Sequence, residues 1–178
     1  KRKAYLQSKL PNGRKASNMI NNITLKRNNR VSDYLHKITS MFINYAVSKG
    51  IGGVVVGDDE EWKQGIVIGG VGNQNFVCIP YYKLLNMLTY KCELHGISLT
   101  VTEESYTSKC SFLDSEPLCK HDSYCGRRIH RGLFKSSSGK LINADVNGAL
   151  NILRKVIGNY IYDPIKVCST PLVFEPRN

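Results

Sequence analysis

From Ser17 to Gly50 the chain runs without proline or glycine, and Val31, Leu35, Ile38, Phe42 and Tyr45 recur three or four residues apart. This pattern predicts a long amphipathic helix begun by Ser17 as N-cap. Before it, a basic opening containing Pro11-Asn12-Gly13 reads as a helix end or loop. After it, Ile51-Gly52-Gly53-Val54-Val55-Val56-Gly57 is a β-branched run bounded by glycine, expected as a strand buried on both faces. The acidic Asp58, Asp59, Glu60 and Glu61 follow. A second helix is expected from about Pro80 to Gly96, with Tyr81, Leu84, Leu85 and Leu88 inward. Residues 97–102 alternate as a strand does, and Glu103 and Glu104 stand at its end. Residues 105–141 show no period and are rich in cysteine, histidine, glycine and serine, which predicts an inserted loop or small subdomain. A last helix is expected from Asn143-Ala144-Asp145, with Val146, Leu150, Leu153 and Ile157 on one face. The remainder, from Gly158, has three prolines and no period and is read as an extended or partly disordered tail.

A helix, strand, helix, strand, insert, helix order implies an α/β fold with parallel strands joined by crossovers. In open sheets of this kind, sites form at the carboxyl ends of strands. Gly57-Asp58 and Glu103-Glu104 fall there.

Composition narrows the partner class. A net charge of +11 on 178 residues favours a polyanion, and no apolar run approaches a bilayer span. Nucleic acid leads, although a merely basic protein would look the same. The opening Lys1-Arg2-Lys3 leads into no apolar stretch and reads as mid-protein, without a secretory signal. Six irregularly spaced cysteines then fit reduced thiols in the cytoplasm, with Cys78 and Cys92 as core packing.

Metal-assisted phosphodiester cleavage needs converging carboxylates, because Mg²⁺ (or Mn²⁺) takes hard oxygen ligands. Glu104 at a strand end and Asp145 in a first helical turn can face one cleft, the helix dipole favouring ionised Asp145. From spacing alone, Asp145 as a capping group and Glu103 and Glu104 as ordinary strand-end charges are the favoured reading.

The order of motifs changes that weighting. Thr102-Glu103-Glu104-Ser105-Tyr106-Thr107-Ser108-Lys109-Cys110, then Arg131-Gly132-Leu133-Phe134, then Ile142-Asn143-Ala144-Asp145-Val146-Asn147-Gly148-Ala149-Leu150-Asn151-Ile152, closely resembles the C-terminal half of TnpB/OrfB proteins of insertion sequences. The likeness extends back through residues 30–37, 54–57 and Trp62-Lys63-Gln64. It implies a partial RuvC/RNase H-like fold and an RNA-guided, Mg²⁺-dependent DNA endonuclease, related to Fanzor proteins and type V CRISPR nucleases and described for some members as an accessory transposase. DNA and guide RNA are the implied partners.

On this resemblance, residues 1–105 are a RuvC-like core lacking its first strands, 106–141 a degenerate zinc-ribbon-like insert, 142–160 the closing helix and 161–178 an irregular tail. The implied catalytic, metal-binding acids are Glu104 and Asp145. Most relatives place a glutamate where this chain has Gly57; in a minority it sits on the neighbouring strand, at the position of Glu104. Adjacent strand ends lie about 5 Å apart, so a glutamate spans the gap. Glu103 would face the other way, and Asp58 is a weaker substitute. The family's first aspartate is expected upstream of Lys1.

The insert departs from the family pattern. Two Cys-x-x-Cys pairs are usual, but the corresponding positions are Cys110 and Leu113, then Lys135 and Ser138. Cys119, His121, Cys125 and His130 are at hand, yet their spacing argues against a tetrahedral structural zinc. The insert is expected to be held by packing around Phe112, Leu133 and Phe134, with Cys110 a packed thiol. Lys26, Arg27, Arg30, Trp62, Lys63, Lys109, Arg127, Arg128 and Arg131 are candidate nucleic-acid contacts through phosphate pairing and stacking. Solvated surface is the alternative for each. A nuclease is thus the leading expectation, against a non-catalytic nucleic-acid-binding module and, behind both, a zinc scaffold.

Overall fold

The computed structural model describes residues 2–14, 16–58 and 80–158. Helix α1 (Arg2–Ser8) leads through a turn to α2 (Asn18–Ser48), then strand β1 (Gly53–Asp58). Helix α3 (Tyr81–Leu94) and strand β2 (Ser98–Glu103) follow, then the short strands β3 (Arg127–His130), β4 (Leu133–Lys135) and β5 (Leu141–Asn143), and finally α4 (Ala144–Ile157). Trp62, Lys63, Cys78, the acidic run after Asp58 and the proline-bearing tail lie outside the described residues. Among the described residues no helix is long and apolar enough to cross a membrane.

The α/β expectation holds. Strands β1 and β2 pair in parallel, from Gly53 opposite Ser98 to Asp58 opposite Glu103. Successive strand side chains alternate between faces, so Val54 and Gly57, three residues apart, look opposite ways. On the Val54 side, Val54 and Leu99 pack against a cluster of Ile43 and Ala46 from α2, Cys92 from α3, and Ile97. On the Gly57 side lies Ile152 of α4. The strands are therefore covered on both faces, but β1 is half-buried where a fully buried strand was expected; its described strand neighbour is β2 alone.

Ser17 caps α2, its hydroxyl accepting from the amide of Ile20 at 3.4 Å. The buried line of α2 runs through Ile20, Thr39, Ile43 and Ala46, so the expected stripe of Leu35, Ile38, Phe42 and Tyr45 flanks the interior without forming it. Lys91 ties α3 to α2 by donating to the carbonyl of His36 (2.8 Å) and the hydroxyls of Thr39 (2.7 Å) and Ser40 (2.8 Å). In α3 the deepest residues are Met87 and Cys92; the expected Tyr81, Leu84, Leu85 and Leu88 are half-buried beside them.

The insert is an antiparallel sheet of order β3-β4-β5 that runs directly into α4. Strands of three or four residues are too short to display a period of two, which is why the sequence concealed them. Phe134, Ile142 and Ala144 form their core, with Leu113, Val146 and Leu150 against it. Phe112 and Phe134 are buried as expected, while Leu133 is half-buried. Helix α4 meets its predicted face in part: Val146 and Leu150 pack on the insert core and Leu153 is half-buried, but the fully buried residues are Ala144, Asn147, Asn151 and Arg154, and Ile157 is 53% exposed.

Candidate active site

Glu104 follows the last residue of β2, and Asp145 lies in the first turn of α4. Together with Ser105, Arg128, Gly148 and Ile152 they line one cleft of about 440 Å³. Asn143 caps α4, its side-chain oxygen accepting from the amides of Asp145 (2.8 Å) and Val146 (3.2 Å). That cap leaves the Asp145 carboxylate at a helix N-terminus, where the aligned peptide dipoles favour negative charge.

Gly57 is explained by Glu104. A Cβ built on Gly57 would stand 2.6 Å from Oε2 of Glu104, 3.2 Å from its Cβ and 2.7 Å from Cδ1 of Ile152. The Glu104 side chain thus lies over the strand position that Gly57 leaves bare. Glu103 is not among the residues lining the cleft: its carboxylate accepts from Lys155 of α4 (2.7 Å) and from the amide of Ser105 (2.5 Å). The Lys155 and Ser105 hydrogen bonds hold its pKa down to about 2. At the end of β1, Asp58 keeps a buried carboxylate oxygen without a hydrogen-bond partner among the described residues.

Tyr81 was read from the sequence only as an inward ring. Its hydroxyl donates to the carbonyl of Gly57 at 2.8 Å, and its pKa is pushed up to about 12, first by burial and then by Asp58 and Glu104. The phenol therefore stays protonated beside the two carboxylates.

The buried face of α4 is polar because it docks the backbone that follows Glu104. Asn147 accepts from the amide of Phe112 (3.0 Å) and donates to the carbonyl of Cys110 (3.0 Å). Asn151 donates to the carbonyls of Thr107 (2.9 Å) and Cys110 (2.8 Å). Arg154 donates to the carbonyl of Glu116 and stacks over the Phe112 ring. The signal was in the sequence: Asn143, Asn147 and Asn151 recur every four residues, which on a helix is one face.

Carboxylates also brace the insert. Buried Glu116 accepts from the amides of Ser111 (2.7 Å) and Cys125 (2.8 Å). Asp114 accepts from the amide (2.9 Å) and hydroxyl (2.6 Å) of Ser137, joining the turn after Cys110 to the turn after Lys135. Cys110 is fully buried, its thiol pushed up chiefly by burial and donating to the carbonyl of Pro117 at 3.3 Å. Cys119 and His121 approach to 3.5 Å. Among the described residues no group of three or more His, Cys, Asp or Glu side chains is gathered for a metal ion.

The basic candidates separate. Arg128 lies in the cleft and pairs with Asp145 at 3.6 Å. Arg127, on the same exposed strand, lines a second, polar cleft with Tyr124 and Lys135. Lys109 and Arg131 are exposed on the insert, and Lys26, Arg27 and Arg30 are exposed on α2 without lining either cleft.

Comparison with known proteins bears on this arrangement. The chain is 29% identical over 136 residues to the CRISPR-associated endodeoxyribonuclease Cas12f1 of Sulfoacidibacillus thermotolerans, covering 74% of this chain and 28% of that protein. It is 30% identical over 79 residues to TnpB-like protein ORF457 of Acidianus two-tailed virus, covering 44% of this chain and 16% of that one. It therefore spans less than a third of either relative. A Cas12f1–sgRNA–target DNA complex solved by cryo-electron microscopy contains a similar fold, with TM-score 0.57 and 21% identity over 76% of this chain and 36% of that one. Residues 81–152, which include Glu104, the insert and Asp145, match the family model of the Cas12f1-like TNB domain.

Proposed function

We propose that this chain is the carboxylate-bearing part of a transposon-associated, RNA-guided DNA endonuclease, with β1, β2 and α4 forming part of a RuvC-like core. The observation that carries the reading is the placement of Glu104 over Gly57, in one cleft with Asp145. Two carboxylates on separate elements suit a hard divalent cation, and Glu104 and Asp145 are the residues that would hold Mg²⁺. Bound there, the ion would activate water and stabilise the leaving oxygen of a phosphodiester. A further carboxylate from elsewhere in the protein would complete the set. Tyr81 holds the β1 end beneath Glu104, and Arg128, the cation beside Asp145, is placed to meet a phosphate.

One observation favours a non-catalytic nucleic-acid-binding module: the described residues gather two acids at the cleft, with Arg128 against one of them. The test is cleavage of DNA by the full protein with its native flanking RNA and Mg²⁺. Glu104→Gln and Asp145→Asn should each abolish cleavage and leave nucleic-acid binding intact, while Glu103→Gln cleaves normally. Binding without cleavage by the unmodified protein would establish the second reading.

A further inference from the structure

We propose that Thr107 and Asn151 are positioning residues that fix Glu104 against Asp145. The inference rests on reading those two acids as the cation ligands. Glu104 lies just beyond β2, where strand pairing no longer restrains it. Its carbonyl instead accepts from Thr107 twice, from the hydroxyl at 2.7 Å and from the amide at 3.3 Å. The carbonyl of Thr107 in turn accepts from Asn151 at 2.9 Å. Asn151 belongs to α4, six residues and about 9 Å of helix rise from Asp145. An unbroken relay therefore runs from the backbone of one acid to the helix that carries the other.

The Asn151–Thr107 link is buried and the Thr107–Glu104 link partly so: Thr107 is 4% exposed and Asn151 0%. A buried hydrogen bond of this kind has no solvent to replace it, so its loss frees the groups it held. The turn is also conformationally demanding. Tyr106 has φ of +63°, a left-handed conformation unfavourable for a side chain of its size, and it lies inside the turn that Thr107 closes onto Glu104 and that Asn151 anchors at Thr107 and Cys110. Glu103 and Lys155 add an outer tie between β2 and α4. Asn147 repeats the pattern one turn earlier by gripping Cys110 and Phe112, which fastens the insert to the same helix. Partners behind a ligand commonly set cation affinity by about 10- to 100-fold when removed.

The test is Mn²⁺ affinity of the full protein, measured by water-proton relaxation, with circular dichroism to confirm folding. Glu104→Gln serves as the reference and should lose the site. Thr107→Val, which keeps shape and removes the hydroxyl, should weaken Mn²⁺ binding about tenfold. Thr107→Ser, which restores the donor, should bind within about twofold of the unmodified protein. Should Thr107→Val fail to fold, Thr107→Cys, a weaker donor, should fall between serine and the reference. Unchanged affinity in Thr107→Val, or in Thr107→Cys where valine does not fold, overturns the proposal, as does equal loss in the serine variant. If Glu104→Gln itself binds Mn²⁺ normally, the reading of the acid site fails and the positioning role falls with it.

Discussion

The two faces of the β1–β2 pair are covered by regions held together by different forces. On the Val54 side of the β1–β2 pair, Ile43, Ala46, Cys92 and Ile97 close an apolar cluster. On the other side, the insert and α4 share a smaller apolar cluster around Phe134 and add to it Asn147, Asn151, Arg154 and Glu116, all buried and nearly all aimed at backbone groups. Apolar burial is non-directional and tolerates small slides, whereas a carboxamide bonded to two backbone groups fixes register. The difference teaches where precision is needed: the apolar half supplies stability, and the polar half places Asp145 relative to Glu104.

This contrast can be broken by substitution. Ile43→Ala should cost about 3 kcal/mol in urea denaturation, through lost burial and the cavity left behind. Asn147→Leu, close in volume and more apolar, should still cost about 2 kcal/mol, because it leaves the Phe112 amide without its acceptor and removes a donor from Cys110. A neutral or stabilising Asn147→Leu would show that the interface is apolar in character after all.

Acid sharpens the comparison further. Burial pushes the Asp114 pKa up, but the amide and hydroxyl of Ser137, with the Ser111 hydroxyl nearby, outweigh it and hold the group below its ordinary value. A carboxylate depressed in the folded state contributes stability that is complete above its unfolded pKa, near 4, and lost as pH falls through the folded value. The insert should therefore loosen below about pH 4 ahead of the apolar half, seen as early amide exchange at Ser137. Asp114→Asn should flatten that dependence, and an unaltered profile would contradict the bracing role. The smallest effect is expected from chelation: with Asp114–Ser137 bridging the two turns, excess EDTA should leave the melting temperature unchanged. A large fall would mean that Cys119, His121 or Cys125 coordinates a metal.

The same contrast governs what the sequence could reveal. The α2 helix, its Ser17 cap, α3, the parallel strands and the start of α4 were all legible, because period, glycine and capping chemistry are local signals. What escaped was non-local or polar. Val146, Leu150, Leu153 and Ile157 looked like the inner face of α4, and the first two do pack on the insert, yet the deepest positions are asparagines, which bond the backbone groups of residues 107–112 as leucines cannot. Strands β3 to β5 were too short to carry a period, and Tyr81 showed its ring but not the carbonyl its hydroxyl reaches. Glu104 and Asp145 were nominated by motif resemblance, and their shared cleft appears only in three dimensions. Trp62 and Lys63 lie outside the described residues and keep the standing they had in the sequence.

In the proposed reading, Glu104, just past the end of β2, supplies the carboxylate that Gly57 does not supply from β1. Moving that carboxylate back tests it most directly, by measuring Mg²⁺-dependent DNA cleavage of the full protein carrying Glu104→Ala alone and Glu104→Ala with Gly57→Glu. The single variant should be inactive and the double variant should regain cleavage, since removing the Glu104 carboxylate clears its 2.6 Å obstruction over position 57 and leaves there the terminal methyl of Ile152, at 2.7 Å, which a rotamer change moves aside. Full cleavage by Glu104→Ala alone would contradict it.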